Sequence, residues 1–204
     1  MRILLVNPPH PSIGSRIPHE HLPPLGLLSI GGPLLDAGHE VRLVDGEFGP
    51  MTAGAIAQQA KAFGPQVIMV GHSGSTSGHP SAMEVTRALR AMLPDARIVY
   101  GGVFPTYHWR EILADEPQID LIVRGEGEQT ILDVVEAWET GGDIEMVRGI
   151  ATRRDGVAWA SPQAPVIGDL DAYRVGWELI DFARYRPGPD PDAVSHTAPM
   201  DAGV

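Results

Sequence analysis

The chain contains no cysteine, a single lysine and no long uninterrupted run of apolar residues. Without thiols it can form neither disulfides nor cysteine-ligated zinc or iron–sulfur sites, and it has no thiol nucleophile. Lys61 is the one lysine and the formal charge is −11, so no basic surface for a nucleic acid is expected. Arg2 leads directly into a short apolar segment. We therefore expect neither a signal peptide nor a membrane span, and a cytoplasmic location.

Apolar residues make up 43% of the 204-residue chain, which is enough for a packed core. Short apolar segments that stop at glycine, proline or hydroxyl residues are typical of strands covered on both faces by helices. The predicted strands are 2–7, 40–44, 66–71, 97–100 and 121–124. Because they alternate with segments of helical periodicity, we predict an α/β fold. The expected sheet is doubly wound, five-stranded and parallel, flavodoxin-like or Rossmann-like, with the order 2-1-3-4-5.

Two regions depart from this alternation. Gly31-Gly32-Pro33 lies inside the first predicted helix, and we expect it to divide that helix into two short pieces that end at Gly38. Apolar segments on both sides of Arg154-Asp155-Gly156 predict a C-terminal β-hairpin. Residues 161–185 then carry isolated apolar side chains between prolines, as in a linker that packs on another surface. We expect residues 187–204 to be a disordered tail.

Glycines and small or acidic residues follow the third, fourth and fifth predicted strands, at Gly71–Gly78, Gly101–Gly102 and Gly125–Glu128. Glycine allows a ligand to approach the backbone closely, and free N–H groups at helix starts favour anions. In an open α/β sheet these segments meet at the carboxyl edge, where ligands bind at the switch point between the first and third strands. We therefore predict a ligand site there, beside the loop 8–23. Ordinary strand-to-helix turns are the alternative.

Three other functions compete with this site. Gly71-His-Ser-Gly-Ser75 is close to the G-x-S-x-G elbow of serine hydrolases, but it ends in serine and no Asp–His pair stands out as its partner. A receiver-like module would need acidic residues after the first strand, where Asn7-Pro8-Pro9 stands. A zinc-type site would have to combine loop histidines that lack an accompanying carboxylate. Those histidines are His10, His19, His21, His72 and His79.

Five sequence segments form a combination that is more specific than any one of them. They are Pro23-Pro-Leu-Gly-Leu27, Gly38-His-Glu-Val41, Gly71-His-Ser-Gly-Ser75, Gly101-Gly102 and Arg124-Gly-Glu-Gly-Glu128. The combination resembles the N-terminal cobalamin-binding domain of cobalamin-dependent radical SAM proteins. The subgroup most resembled is the anaerobic magnesium-protoporphyrin IX monomethyl ester cyclases of tetrapyrrole biosynthesis, over about residues 1–186. The resemblance implies a doubly wound sheet with cobalamin lying over its carboxyl edge and the nucleotide tail in the crevice.

The resemblance also implies which residues contact the cofactor. Residues 73–75 take the place of the serine-containing loop beside the tail, and Gly101-Gly102 takes the place of the glycine pair that lets the tail pass. No catalytic residue is implied within this chain. The full set of implied contacts is His10, Leu25, His72, Ser73, Gly74, Ser75, Thr76, Gly101, Gly102, Val103, Gly125, Glu126, Gly127 and Glu128.

The cobalt-ligating histidine motif of related domains is altered here. Methionine-synthase-like domains carry D-x-H-x-x-G after the first strand, whereas this chain has Pro8-Pro-His-Pro-Ser-Ile-Gly14. The aspartate that would orient the imidazole is missing, and His10 lies one residue too far from its glycine. We therefore expect cobalamin without a protein axial ligand, with His10 as a weak candidate for cobalt.

The catalytic half of the resembling family holds a 4Fe–4S cluster on three cysteines and uses S-adenosylmethionine. Because this chain has no cysteine, we expect both only in a missing or separate catalytic domain or protein. The expected organisation is a cobalamin-binding domain 1–142, a hairpin and linker 143–186 and a tail 187–204, in a chain that is truncated, split or stand-alone. The alternative is a nucleotide- or sugar-nucleotide-binding domain of a glycosyltransferase-like enzyme, since Met1–Val6 and Gly38–Val41 also open such folds.

Overall fold

A computed structural model describes residues 1–9, 22–47, 51–72 and 76–185. Strands and helices alternate along the chain up to residue 140, and two further strands follow. The strands are β1 (Arg2–Asn7), β2 (Glu40–Asp45), β3 (Val67–Gly71), β4 (Arg97–Gly101), β5 (Leu121–Val123), β6 (Ile150–Arg154) and β7 (Val157–Ala160). The helices are α1 (Leu25–Asp36), α2 (Ala53–Phe63), α3 (His79–Met92), α4 (Val103–Asp115) and α5 (Glu128–Thr140).

The seven strands form one sheet in the order β2-β1-β3-β4-β5-β6-β7. The first five pair in parallel, which confirms the predicted five-stranded order 2-1-3-4-5. The predicted hairpin also forms, as β6 and β7, and it turns at Asp155-Gly156 with positive φ at both residues. β6 pairs antiparallel to β5, so the hairpin extends the same sheet. This pairing covers the edge that β5 would otherwise expose.

Helices cover both faces of the parallel part of the sheet. Side chains alternate along β1, where Ile3 and Leu5 pack in the cluster with α1 and α5. Leu4 and Val6 pack in the opposite cluster with α2, α3 and α4. Because both faces are buried, these strands have no polar alternation in the sequence, as expected for a parallel sheet.

The expected break in the first helix is wrong. α1 continues through Gly31-Gly32-Pro33 as one helix from Leu25 to Asp36. The glycines serve a packing contact instead: a Cβ added at Gly32 would lie 2.0 Å from the carbonyl oxygen of Arg174. Only a residue without a side chain lets a second backbone approach a helix this closely. The Gly-Gly pair therefore marks a docking surface on α1 and not a helix end.

Residues 161–185, called the strap below, cross the face of the sheet that α1 and α5 cover. The Ile167 N–H donates to Glu126 at the start of α5 (2.6 Å). The Gly176 N–H donates to the carbonyl oxygen of Leu28 in α1 (2.9 Å), and the end of the strap hydrogen-bonds to the end of β2. The strap contains three short 3-10 helices and no strand. It therefore connects the β7 side of the molecule to β2.

The apolar side chains of the strap fall into two groups. Leu179 packs with the core cluster of α1 and α5, next to Gly31. Other side chains remain between 40% and 81% exposed, and these are Val166, Leu170, Trp177 and Phe182. The strap is thus packed on α1 around Arg174, Gly176 and Leu179 and open to solvent elsewhere. The expectation that these exposed side chains pack on another surface stays a prediction.

Two helix starts follow simple local rules. Thr52 caps α2, and its hydroxyl accepts from the Ala55 N–H at 3.2 Å. α4 begins at Val103 and includes Pro105, because proline is tolerated within a first helical turn. None of the helices in the described ranges combines the length and apolarity needed to cross a membrane.

Candidate functional site

A cavity of about 260 Å³ opens at the carboxyl edge of the sheet, on the face covered by α1 and α5. The ends of β1, β3, β4 and β5 bound it on one side, and the starts of α1 and α5 bound it on the other. Most of its lining is apolar. The apolar side chains include Leu27, Ile30, Met69, Val99, Val123 and Ile131. The cavity is therefore a slot between two helices and the sheet, suited to a flat apolar group with polar contacts at its mouth.

Glycines keep this slot open. A Cβ added at Gly101 would meet no atom nearer than the Cβ of Val123 at 4.0 Å, and one added at Gly26 or Gly125 would meet none within 4 Å. Gly102 and Gly125 differ from the other two, because their φ values of +113° and +84° are ones that side chains rarely adopt. The space at Gly101 is thus free for a ligand, whereas Gly102 is required by the backbone.

The β5–α5 loop places two carboxylates at the cavity. Its position is tied to the start of α4, since the Gly125 N–H donates to the Thr106 hydroxyl at 3.0 Å. Glu126 lines the cavity and accepts from the strap. Glu128 also lines it, and its Oε2 atom is buried without a hydrogen-bond partner among the described residues. A buried acceptor without a donor is costly, so this atom favours a ligand that supplies an N–H or O–H.

A buried tyrosine with two histidines supports the end of β3. Gly71 faces Leu27 of α1, while the imidazole of His72 contacts Tyr100, whose ring belongs to the opposite core cluster. The Tyr100 hydroxyl lies 2.7 Å from His72 Nε2 and 3.3 Å from His79 Nδ1. Burial raises the pKa of Tyr100, so its phenol keeps its proton. With one proton, it donates to one imidazole and accepts from the other.

Burial also lowers the pKa of His79, and the nearby Glu116 carboxylate opposes this only in part. The His79 ring is therefore held in its neutral form, stacked on Tyr100 and close to Phe104. His72 and His79 flank residues 73–75, which lie outside the described part of the chain. The cluster thus anchors both ends of the β3–α3 loop.

A second polar network links the strap to the cavity. Asp45 at the end of β2 accepts from the Asn7 side-chain amide at 2.8 Å and from the Glu47 N–H at 3.1 Å. Its other oxygen accepts from the Tyr185 hydroxyl at 2.8 Å, and burial together with this carboxylate raises the pKa of Tyr185. Asn7 lines the cavity. The last described residue of the strap is therefore one side chain away from the cavity wall.

The structure brings most of the sequence-predicted contacts together. Thr76 starts a short 3-10 helix and Val103 is 63% exposed at the start of α4, and neither is among the described residues that line the cavity. His10 and residues 73–75 lie outside the described residues. The predicted contacts that line the cavity are Leu25, His72, Gly101, Gly102, Gly125, Glu126, Gly127 and Glu128.

Sequence reasoning missed the apolar walls of the slot. Met69, Val99 and Val123 lie near the strand ends, on the face toward α1 and α5. Each stands two residues before a glycine in the sequence. The alternation of a strand would have assigned them to one face. Asn7 stands in the sequence only as the end of the first strand, although its side chain lies at the switch point.

A larger groove of about 760 Å³ lies on the outer side of α5, against the strap. Its wall includes Asp133, Glu136 and Asp143, and no residue of β1 or β3 lines it. Within the described ranges no three His, Asp or Glu side chains lie close enough to share a metal ion. The smaller cavity at the strand ends is therefore the candidate site.

A family model described as the B12 binding domain matches residues 18–135, which is more than half of the chain. The matched segment contains α1, β3, β4, β5 and the start of α5, which bound most of the cavity. The chain belongs to the B12-binding domain family. The resemblance inferred from its glycine-rich segments is thereby confirmed. The alternative of a nucleotide- or sugar-nucleotide-binding domain receives no support from this match.

Curated relatives place this B12-binding domain among longer proteins. It is 60% identical over 185 residues to the anaerobic magnesium-protoporphyrin IX monomethyl ester cyclase of Synechocystis, a match that covers 91% of this chain and 37% of that protein. It is 31% identical over 193 residues to the cyclase of the same name from Rubrivivax gelatinosus, covering 91% of this chain and 34% of that one. The chain therefore spans little more than a third of the length of these relatives.

Solved structures share the fold of the B12-binding domain. The radical S-adenosylmethionine methyltransferase TsrM from Kitasatospora setae, with cobalamin and a 4Fe–4S cluster bound, matches with a TM-score of 0.68 at 21% identity. That match covers 85% of this chain and 31% of TsrM. The cobalamin-dependent enzyme OxsB with aqua-cobalamin bound matches with a TM-score of 0.68 at 20% identity, covering 81% of this chain and 22% of OxsB.

Proposed function

We propose that this domain binds cobalamin, with the nucleotide tail in the cavity between α1 and α5 and the corrin ring over the carboxyl edge of the sheet. The observation that carries the proposal is the apolar slot itself, which lies at the strand ends inside the region matched by the B12 family model. Its open glycine wall and apolar lining suit the flat aromatic base at the end of the tail.

The residues at the mouth of the slot fit the rest of the cofactor. Cobalamin carries primary amides around its corrin ring, and the buried Oε2 of Glu128 is an acceptor without a donor among the described residues. An amide N–H from the ligand would satisfy it and remove the cost of the unpaired atom. The free space at Gly26 and Gly125 lets the ligand approach the backbone there. This chain's residues therefore hold and orient the cofactor and exclude water from its tail.

Bound cobalamin supplies a redox-active cobalt centre. We infer that the domain presents this centre to a radical SAM catalytic unit, since the relatives include cobalamin-dependent S-adenosylmethionine enzymes and this chain has no cysteine for a cluster. A ring-forming step on a magnesium porphyrin, as named for the cyclases, is the reaction class that this inference favours. The cobalamin-loaded chain by itself should not cleave S-adenosylmethionine under reducing conditions. Cleavage of S-adenosylmethionine by this chain without an added catalytic protein would contradict the inference that a separate unit does this chemistry.

Binding is tested by titrating the purified chain with hydroxocobalamin and recording its visible spectrum and affinity. Gly101→Val adds a side chain inside the slot without backbone strain, because valine suits the end of a strand. We expect this variant to fold and to lose at least about tenfold in affinity, which corresponds to about 1.4 kcal/mol. Gly102→Val is a poorer test, since its positive φ would strain the backbone in any case.

Gly168→Val is the matched control, because a Cβ at this strap residue meets no atom within 4 Å and the residue does not line the slot. It should bind cobalamin like the unmodified chain. Equal affinity of the Gly101→Val and Gly168→Val proteins, both folded by circular dichroism, would place the tail elsewhere.

A further inference from the structure

Two arginines share one buried tryptophan outside the cobalamin cavity. Trp109 of α4 is 7% exposed. The guanidinium of Arg110 lies 4.1 Å from the centroid of its ring, and that of Arg124 lies 5.4 Å from it. None of these three residues lines the cavity between α1 and α5. The aromatic ring thus brings two positive charges together at a place that cobalamin binding does not explain.

Neither guanidinium forms an ion pair with a carboxylate of the described residues. Arg124 makes one long side-chain hydrogen bond, to the carbonyl oxygen of Ser161 at 3.3 Å, and its Nε is buried without a partner in the described part of the chain. By contrast, Arg42 lies over Phe63 and also pairs with Glu40. A buried guanidinium N–H without an acceptor is unfavourable, so the site near Trp109 is incomplete as it stands.

The charges around Arg124 also indicate that an anionic partner is missing. The neighbouring charge that acts on it is Arg110, a like charge, and burial together with this repulsion lowers the pKa of Arg124. The chain as a whole carries a formal charge of −11, so carboxylates are abundant in it. Neither of these two neighbouring arginines is paired with a carboxylate of the described residues. This indicates an acceptor that comes from outside this part of the chain.

The position of the pair connects it to the sheet edge. Arg124 directly precedes the β5–α5 loop, and its backbone N–H donates to the Gly149 carbonyl at 2.7 Å, which fixes the start of that loop. Arg110 is exposed, so an incoming group can reach the pair from solvent. A ligand held there lies beside the carboxyl edge, on the face opposite to the cobalamin slot.

We propose that Arg110 and Arg124, stacked on Trp109, form a binding site for an oxyanion group, a carboxylate or a phosphate, of a second ligand at the carboxyl edge. Guanidinium groups bind both anions through paired N–H donors, and an aromatic ring holds their planes in place. The anion would accept from the buried Nε of Arg124 and neutralise the repulsion between the two charges. The proposal does not depend on cobalamin binding.

The test uses the full chain labelled with ¹⁵N and follows the four indole N–H signals by NMR, with the Trp109 signal assigned from a Trp109→Phe sample. Phosphate and succinate are titrated separately at constant ionic strength, balanced with sodium chloride. We expect the Trp109 signal to shift in a saturable manner. A response to phosphate alone assigns a phosphate-bearing ligand, a response to succinate alone assigns a carboxylate-bearing one, and either supports the site.

Arg110→Gln and Arg124→Gln should each weaken the apparent affinity by about tenfold, as expected for loss of charge-assisted hydrogen bonds. Arg110 is exposed, so its variant tests the site without disturbing the fold. Arg97→Gln is the matched control, because Arg97 lies 4.6 Å over Trp138 and no second arginine of the described residues lies over that ring. Its affinity should equal that of the unmodified chain. Absence of a saturable shift with both anions, or an unchanged affinity in Arg110→Gln, would overturn the proposal.

Discussion

The contact between the strap and α1 depends on glycine at position 176, and Gly176→Ala should release it. A Cβ at this position would lie 2.8 Å from the backbone nitrogen of Gly32 and 3.1 Å from the carbonyl carbon of Gly31. Backbone atoms of a helix cannot yield as the end of a side chain can. The strap must therefore move away from α1 to accommodate one methyl group.

The size of the effect follows from overpacking, which typically costs about 1–3 kcal/mol. At about 1.4 kcal/mol per factor of ten, the population with a detached strap should rise roughly 5- to 150-fold. The ion pairs of Arg174 with Asp36 and Glu178 cannot compensate, since all three side chains are about half exposed and such pairs contribute little. The melting temperature of the domain should fall only slightly, because Leu179 is the strap side chain that packs with the core cluster of α1 and α5 and the rest of that cluster stays in place.

Limited trypsin digestion followed by mass spectrometry measures this population, provided that the strap opens and closes faster than it is cut. Cleavage after Arg174 and Arg184 should be faster in Gly176→Ala by the factor given above. Gly168→Ala is the control in the same strap, since its Cβ meets no atom within 4 Å and the substitution stabilises by at most about 1 kcal/mol. Identical cleavage of the two variants would show that the glycine contact does not hold the strap.

Further predictions concern the site and its supporting cluster. His10→Ala should leave cobalamin affinity nearly unchanged because the aspartate of the ligating motif is missing, and a nitrogen-ligated cobalt spectrum that the mutation removes would contradict this. Glu128→Ala should weaken cobalamin binding while Glu128→Gln retains an acceptor oxygen and loses less, as measured by equilibrium dialysis. Burial lowers the pKa of His79 below its ordinary 6.5, so the unfolded chain binds protons more tightly. The free energy of unfolding should therefore fall as the pH drops below about 6.5, and His79→Phe should flatten this dependence in urea titrations.

Strand order and the location of the candidate cavity could be predicted from the sequence for clear reasons. A parallel strand buried on both faces must be continuously apolar, so β1, β3 and β4 stand out in the chain. Right-handed crossovers and the length of the chain then leave few arrangements, and the carboxyl edge is common to all of them. Glycines at a strand end serve either a tight turn or the close approach of a ligand, so the loops at Gly101-Gly102 and Gly125–Glu128 stand out as well.

Other features depend on which segments meet in space, and sequence spacing does not encode that. Gly31-Gly32-Pro33 signals a helix break by local rules, yet α1 stays intact and its glycines receive the strap from more than 140 positions away, at Arg174 and Gly176. The same holds for Arg110 and Arg124, whose shared ring is visible only once α4 lies against β5. Local chemistry therefore determined the strands, the helix caps and the glycine-rich loops. Tertiary packing decided the role of the Gly-Gly pair, the path of the strap and the pairing of charges around Trp109, because each is a contact between distant segments.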